Sequence, residues 1–136
     1  MFKLHPQLEQ DCFFIADLSL SRILLKNDSR FLWLIIVPRR ENITEIFELT
    51  LMDQHQLLTE IISLSPLLKN FTQADKLNIG VLGNIVPNLH IHMIARHRTD
   101  LLWPNPVWGM GEATPYAPEK SQKIISQFQK NLILIP

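Results

Sequence analysis

The chain has 136 residues, of which 46% are hydrophobic and 19% charged, and this is typical of one globular domain spanning residues 1–136. Thirteen basic residues balance thirteen acidic ones, so no overall field draws the chain toward nucleic acid or an anionic membrane surface. With one cysteine, no signal-like start and no apolar run of bilayer length, we expect a cytoplasmic protein that binds neither nucleic acid nor membrane.

Three strands are predicted in the first third of the chain, at residues 12–16, 22–26 and 32–37. These stretches are rich in apolar, branched and aromatic residues, and the second ends at the turn-favouring sequence Asn27-Asp28-Ser29. The short connection indicates that the second and third strands form an antiparallel hairpin.

The middle of the chain predicts a short helical turn at residues 42–49 and then the main helix. Thr50 is a suitable N-cap, Asp53 lies in the first turn, and apolar residues recur at helical spacing up to residue 71. Pro66 is expected to kink this helix or to end it early, because proline lacks the backbone donor and clashes with the preceding turn.

Two further strands are predicted at residues 76–82 and 89–95, joined at Gly83-Asn84. Residues 98–117 read as a loop rich in proline and tryptophan, and Pro118 is well placed as the first residue of a last helix. The elements together predict an α+β fold, an antiparallel sheet of about five strands with one long helix packed on it and a C-terminal helix.

The segment from Val86 to Arg96 is the most informative part of the sequence. In a strand, alternate side chains point to opposite faces, so His90 and His92 share one face with Asn88, while the apolar residues between them occupy the other. A neutral imidazole near pH 7 presents a lone pair on one nitrogen and a proton on the other, so such a pair can attack phosphorus and bind a phosphate oxygen.

Other interpretations of this pair stay open at this point. Two histidines on one strand can be ordinary surface or core residues, since a two-residue pattern has little specificity. They can also bind zinc, but neither a clear third ligand nor an adjoining cysteine or carboxylate is visible, and we predict neither a metal nor a cofactor.

The segment resembles the signature of the histidine triad (HIT) superfamily, in which three histidines alternate with apolar residues before an arginine. In that pattern His90 takes the middle position, His92 the third, and Asn88 stands where the first histidine would be. The likeness extends upstream over roughly residues 20–98, and the ends of the chain resemble a bacterial branch of the superfamily.

The resemblance implies a nucleotide hydrolase or transferase that acts at the α-phosphate through a nucleotidyl-histidine intermediate on His90. Substrates of this class include dinucleoside polyphosphates such as diadenosine polyphosphates, and nucleoside phosphoramidates. His92 would contact the phosphate and help the leaving group depart. The resemblance also implies a homodimer, ribose contacts from Asn27 with Asp28 as a second candidate, and phosphate-site contacts from Asn78 and Asn84. The Asn88 amide and the Arg96 guanidinium can hydrogen-bond phosphate and complete the predicted nucleotide-binding set.

The amide of Asn88 departs from the full motif. It can hydrogen-bond phosphate but cannot titrate near pH 7, so a nucleotide-binding module with little or no turnover is the alternative. Arg96 suits either a phosphate contact or a surface ion pair. Trp33 stands where the family's hairpin usually has a further histidine, and packing is favoured over base stacking for Trp103 and Trp108.

Overall fold

The computed structural model describes residues 1–136 and contains five strands and three α-helices. In chain order these are α1 (Pro6–Asp11), β1 (Cys12–Asp17), β2 (Ser21–Lys26), β3 (Trp33–Pro38), α2 (Leu51–Thr72), β4 (Lys76–Gly80), β5 (Ile91–Arg96) and α3 (Pro118–Leu132). A single 3₁₀ turn, Ile46–Glu48, precedes α2.

All five strands pair antiparallel in the order β1-β2-β3-β5-β4, so the predicted fold class is confirmed. The predicted hairpin is the pair β2 and β3, with Leu24 opposite Ile35. β5 lies between β3 and β4, which places its side chains near the middle of the sheet.

The two faces of the sheet are covered differently. Both long helices pack on one face, where Leu64 of α2, Phe128 of α3 and Met93 of β5 belong to one hydrophobic core. The opposite face carries a smaller core that includes Trp33 and Ile94, covered by α1, by Val86 and by the loop after β5. Burial on both faces explains why β3 reads as an unbroken apolar run.

α2 begins as predicted, with the Thr50 hydroxyl accepting a hydrogen bond from the Asp53 amide at 3.1 Å. The expectation that Pro66 ends the helix is wrong, because α2 continues to Thr72. Leu64 and Leu68, on either side of the proline, are completely buried. Each contributes about 1.5–3 kcal/mol, which together matches or exceeds the proline penalty of about 3 kcal/mol.

Two strand boundaries near the histidines differ from the predictions, and one helix was not foreseen. β4 ends at Gly80 rather than at residue 82, and β5 begins at Ile91, so His90 lies just before the strand rather than inside it. α1 was not predicted at all. Its N-cap is His5, whose Nδ1 accepts a hydrogen bond from the Gln7 amide at 3.0 Å, with proline in the first turn.

Candidate functional site

His90 and His92 line the same cavity, which has a volume of about 330 Å³. They lie at the start of β5, on the face of the sheet opposite α2 and α3. Their ring centroids are 4.9 Å apart, and the residues are only 6% and 7% exposed. The alternation seen in the sequence therefore places both imidazoles at one cavity wall.

The position of the proton on His90 follows from its hydrogen bond. The Nδ1 atom lies 2.7 Å from the backbone carbonyl oxygen of Asn88. A carbonyl only accepts hydrogen bonds, so Nδ1 must donate and carry the proton. In the neutral ring the lone pair is then on Nε2, the atom at the far side of the ring from this bond.

His92 has the opposite arrangement. Its Nδ1 accepts a buried hydrogen bond from the indole Nε1 of Trp33 at 2.9 Å. An indole nitrogen only donates, so Nδ1 holds the lone pair and the proton of the neutral ring is on Nε2. Burial, together with the nearby His90 and Lys26, lowers the pKa of His92 to about 3, so the ring is neutral at pH 7.

The two rings therefore offer different groups to one ligand. The ring of His90 offers a lone pair at Nε2, while His92 offers an N–H at Nε2. Because hydrogen bonds to the Asn88 carbonyl and the Trp33 indole fix the two tautomers, neither ring has to reorganise its proton before it meets a ligand. A nucleophile beside a hydrogen-bond donor suits attack at a centre that carries oxygen atoms.

Aromatic side chains form the wall next to His92. Trp108, from the loop after β5, packs edge-on against His92 at 5.7 Å and against Trp33 at 6.4 Å between ring centroids. A Cβ atom built on Gly80 would lie 2.9 Å from Cη2 of Trp108, so the indole occupies space that only glycine leaves free. Trp108 thus both packs on the sheet and lines the cavity.

One of the five predicted nucleotide contacts lies at the cavity with the histidines. Asn84, in the loop between β4 and β5, is among the lining residues. The preceding Gly83 has φ of 81°, the left-handed conformation expected for this turn. Asn88 lines a different and more polar cavity of about 280 Å³, near Arg40 and the N-terminus.

The remaining predicted contacts have other partners. The side-chain oxygen of Asn27 accepts a hydrogen bond from the Tyr116 amide at 2.8 Å, which ties the β2–β3 turn to the segment before α3. Its neighbour Asp28 is fully buried and pairs with Arg30 at 2.8 Å. These contacts hold the turn in place, and neither side chain lines the histidine cavity.

Arg96 forms an ion pair, as one of the two interpretations expected, but the pair is buried rather than at the surface. The guanidinium bonds the Asp100 carboxylate at 2.8 Å and the Asn78 side-chain oxygen at 2.9 Å, and the residue is 1% exposed. It also packs beside Trp103, 5.8 Å from the ring centroid. Arg96 and Asn78 therefore stabilise the far end of β5, away from the cavity.

Several lining residues were not singled out from the sequence. Gln7 and Asp11 come from the unpredicted α1, and Lys26 comes from the end of β2. A helical start with proline in the first turn was a usable signal for α1. Nothing in the sequence indicates that Lys26 and His92 line the same cavity.

No group of three or more histidine, cysteine, aspartate or glutamate side chains has an arrangement that could hold a metal ion. His97 lies apart from the cavity, with its Nε2 at 2.9 Å from the Thr72 carbonyl oxygen. No helix combines the length and the apolar character needed to cross a bilayer.

Comparisons with known proteins agree on one family. The model for the HIT domain matches residues 7–99. The chain is 43% identical to a histidine triad protein from Bradyrhizobium japonicum, covering 96% of this chain and 97% of that one with a TM-score of 0.93. A histidine triad (HIT) protein from Sinorhizobium meliloti 1021 gives 46% identity with the same coverage and TM-score.

A third crystal structure, of a histidine triad protein from Marinobacter aquaeolei VT8, is 38% identical, with a TM-score of 0.97 over 100% of this chain and 99% of that one. No curated protein matches the chain.

Proposed function

Because the chain belongs to the family of HIT-domain proteins, we propose that it is a nucleotide hydrolase or transferase acting at the α-phosphate through a nucleotidyl-histidine intermediate on His90. Dinucleoside polyphosphates and nucleoside phosphoramidates are the substrate classes to test. The observation that carries the proposal is the pair of opposite tautomers, with a lone pair at Nε2 of His90 and an N–H at Nε2 of His92.

The first chemical step is attack by His90. Its Nε2 lone pair forms a bond to the α-phosphorus while the bond from phosphorus to the leaving atom breaks, and the leaving group takes that electron pair. The ring gains positive charge, which the Asn88 carbonyl stabilises because it already accepts the Nδ1 proton at 2.7 Å.

The second step returns the enzyme to its starting form. Water, or another hydroxyl acceptor, attacks the phosphorus and loses a proton to solvent, while the nitrogen–phosphorus bond breaks and its electron pair returns to Nε2. Dividing one displacement into two in this way is covalent catalysis.

His92 acts by binding rather than by protonation in this proposal. Its Nε2–H donates to a non-bridging phosphate oxygen, where negative charge is held during both steps. Asn84 is positioned to add an amide contact at the same cavity. Nucleotide-binding roles for Asn27, Asn78, Asn88 and Arg96 stay predictions, and none of these four residues lines this cavity.

Turnover of a substrate panel tests the proposal. The panel contains dinucleoside polyphosphates, nucleoside phosphoramidates and adenylyl sulfate, each incubated with the wild-type protein, His90→Ala and His55→Ala. His55 is an exposed histidine on α2 and serves as the matched control. We expect His90→Ala to lose at least about a thousandfold in kcat/KM, as for removal of other covalent nucleophiles, and His55→Ala to match wild type. Equal activity in wild type and His90→Ala contradicts the proposal.

A nucleotide-binding module with little turnover is the second candidate. It is favoured because neither motif position beside His90 supplies an acid near pH 7: Asn88 is an amide and the pKa of His92 is about 3. Calorimetry that detects nucleotide binding, with no product formed from any member of the panel, would select this candidate.

The proposal also includes a homodimer in the cytoplasm. The family resemblance supports the pairing of two copies, and the lone Cys12 fits a reducing compartment. Light scattering at micromolar concentration is expected to give twice the chain mass of 15.8 kDa, and a monomeric mass would reject the dimer.

A further inference from the structure

Lys26 is a basic residue of the histidine cavity that the mechanism above does not use. It lies at the end of β2, half-buried, with its ammonium 4.4 Å from the ring centroid of Trp33. Among the cavity-lining residues it is the sole lysine or arginine. It forms no salt bridge, and the cavity's one carboxylate, Asp11, accepts a hydrogen bond from the Gln7 side chain at 2.7 Å.

The charge of a nucleotide makes this lysine important. A phosphodiester or polyphosphate brings at least one negative charge into a cavity where His92 is neutral. Screening by water is weaker in a partly buried cavity than at an open surface, so a single ammonium there has a large effect on an anion. Trp33 lies between the two relevant groups, since its ring contacts Lys26 and its indole nitrogen bonds His92.

The hydrogen bond from Trp33 also limits what His92 can give to a leaving group. An amine that departs from phosphorus must gain a proton when the P–N bond breaks. His92 already accepts from the indole at Nδ1, so giving up its Nε2 proton would leave an imidazolate with no proton on either nitrogen. A phosphate or sulfate departs as a stable oxyanion and needs no proton, but a cation is needed to stabilise its negative charge.

We propose that Lys26 is the phosphate-binding cation of this cavity and that it makes the protein selective for substrates whose leaving group is an oxyanion, such as a polyphosphate or a sulfate, over amines. This inference rests on the proposed function for its catalytic part. In the step that this selects, Nε2 of His90 forms its bond to the α-phosphorus while the P–O bond breaks, the electron pair of that bond stays on the departing oxygen, and the Lys26 ammonium binds the resulting negative charge.

The experiment compares wild type with Lys26→Met, Lys26→Arg and Lys76→Met. Methionine keeps the length of the side chain without its charge, arginine keeps the charge, and Lys76 is an exposed lysine on β4 that serves as the control. Values of kcat and KM are measured for a dinucleoside polyphosphate and for a phosphoramidate of the same nucleoside. Affinities for AMP and adenosine are measured by calorimetry.

We expect wild type to prefer the polyphosphate. Lys26→Met should lose about a hundredfold in kcat/KM for that substrate, as for a lost charge-assisted hydrogen bond, and about tenfold for the phosphoramidate, which shares its α-phosphate with AMP but has a neutral leaving group. Lys26→Arg should recover most of the loss, and Lys76→Met should match wild type. Equal losses on both substrates, or wild-type kinetics in Lys26→Met, would overturn the inference.

The binding measurements keep the two proposals separate. Lys26→Met should weaken AMP by about tenfold or more and leave adenosine unchanged. If neither the wild type nor any variant turns over any substrate, the proposed function fails. The affinity for AMP compared with the affinity for adenosine then decides the role of Lys26. Unchanged AMP affinity would then refute it, and so would equal weakening of both ligands.

Discussion

Replacing Trp33 by phenylalanine removes the group that fixes the tautomer of His92. Trp33 is 3% exposed, and its Nε1 donates to Nδ1 of His92 at 2.9 Å. Without this donor, a buried acceptor is left unsatisfied at a cost of about 1–3 kcal/mol. The smaller ring also leaves space beside His92, which adds to the loss because buried methylene-sized gaps are costly. We expect Trp33→Phe to lower the free energy of unfolding by about 2–4 kcal/mol.

The same change should alter the proton on His92. In wild type, two-bond ¹H–¹⁵N spectra should show a neutral ring protonated at Nε2 from pH 8 down to well below the usual imidazole pKa, since the pKa of His92 is about 3. In Trp33→Phe both tautomers should be populated, because nothing donates to Nδ1, and kcat should fall about twofold if the populations are equal, since that part of the bound ring presents a lone pair instead of N–H.

Trp108→Phe is the matched control for this experiment. The indole nitrogen of Trp108 is buried without a hydrogen-bond partner, so this substitution replaces a neighbouring tryptophan by a smaller ring without removing a hydrogen bond. We expect the His92 tautomer of Trp108→Phe to be that of wild type. A wild-type His92 protonated at Nδ1, or a Trp33→Phe spectrum identical to that of wild type, would refute the reasoning.

Three further changes test other parts of the structure. Gly80→Ala puts a Cβ 2.9 Å from Cη2 of Trp108. We expect urea unfolding to show a free energy of unfolding lower by about 1–3 kcal/mol, and the tryptophan fluorescence to shift. Unchanged stability and fluorescence would contradict this packing. Asp100→Asn removes the carboxylate whose pKa Arg96 lowers to about 2, and it leaves the buried Arg96 guanidinium without a counter-charge. We expect the free energy of unfolding to fall by about 3–5 kcal/mol. A fall below about 1 kcal/mol would show that the pair is exposed in solution. His92 becomes protonated below about pH 6.5 in the unfolded chain but only near pH 3 in the folded chain. The free energy of unfolding should therefore fall as the pH decreases through that window, by up to about 1.4 kcal/mol per pH unit. His92→Asn should make stability less dependent on pH in this range, and an unchanged dependence would contradict the low pKa of His92.

The sequence predicted the parts of the site that depend on local spacing. His90 and His92 are two residues apart, so alternation in a strand was enough to place them on one wall. The apolar residues that alternate with them were predicted to face a core, and Ile91 and Met93 do. The same reasoning found the order and type of most elements, because each has its own periodicity or cap.

Contacts between distant segments could not be found in this way. Trp33 and His92 are 59 residues apart and meet only because β3 pairs with β5. The polar partner of Asn27 and the carboxylate partner of Arg96 come from the loop after β5, whose path has no periodic signal. Pairing and loop packing are set by the whole fold, so the sequence alone could not identify these partners.

The central claim is that Nε2 of His90 attacks phosphorus. The most direct measurement is mass spectrometry of protein quenched during turnover of a dinucleoside polyphosphate, followed by fragmentation to locate any added mass. Our account predicts a nucleoside monophosphate group attached to His90 in wild type and in His92→Asn, and none in His90→Ala. An adduct on another residue, or product formed with no adduct under rapid quenching, would contradict it.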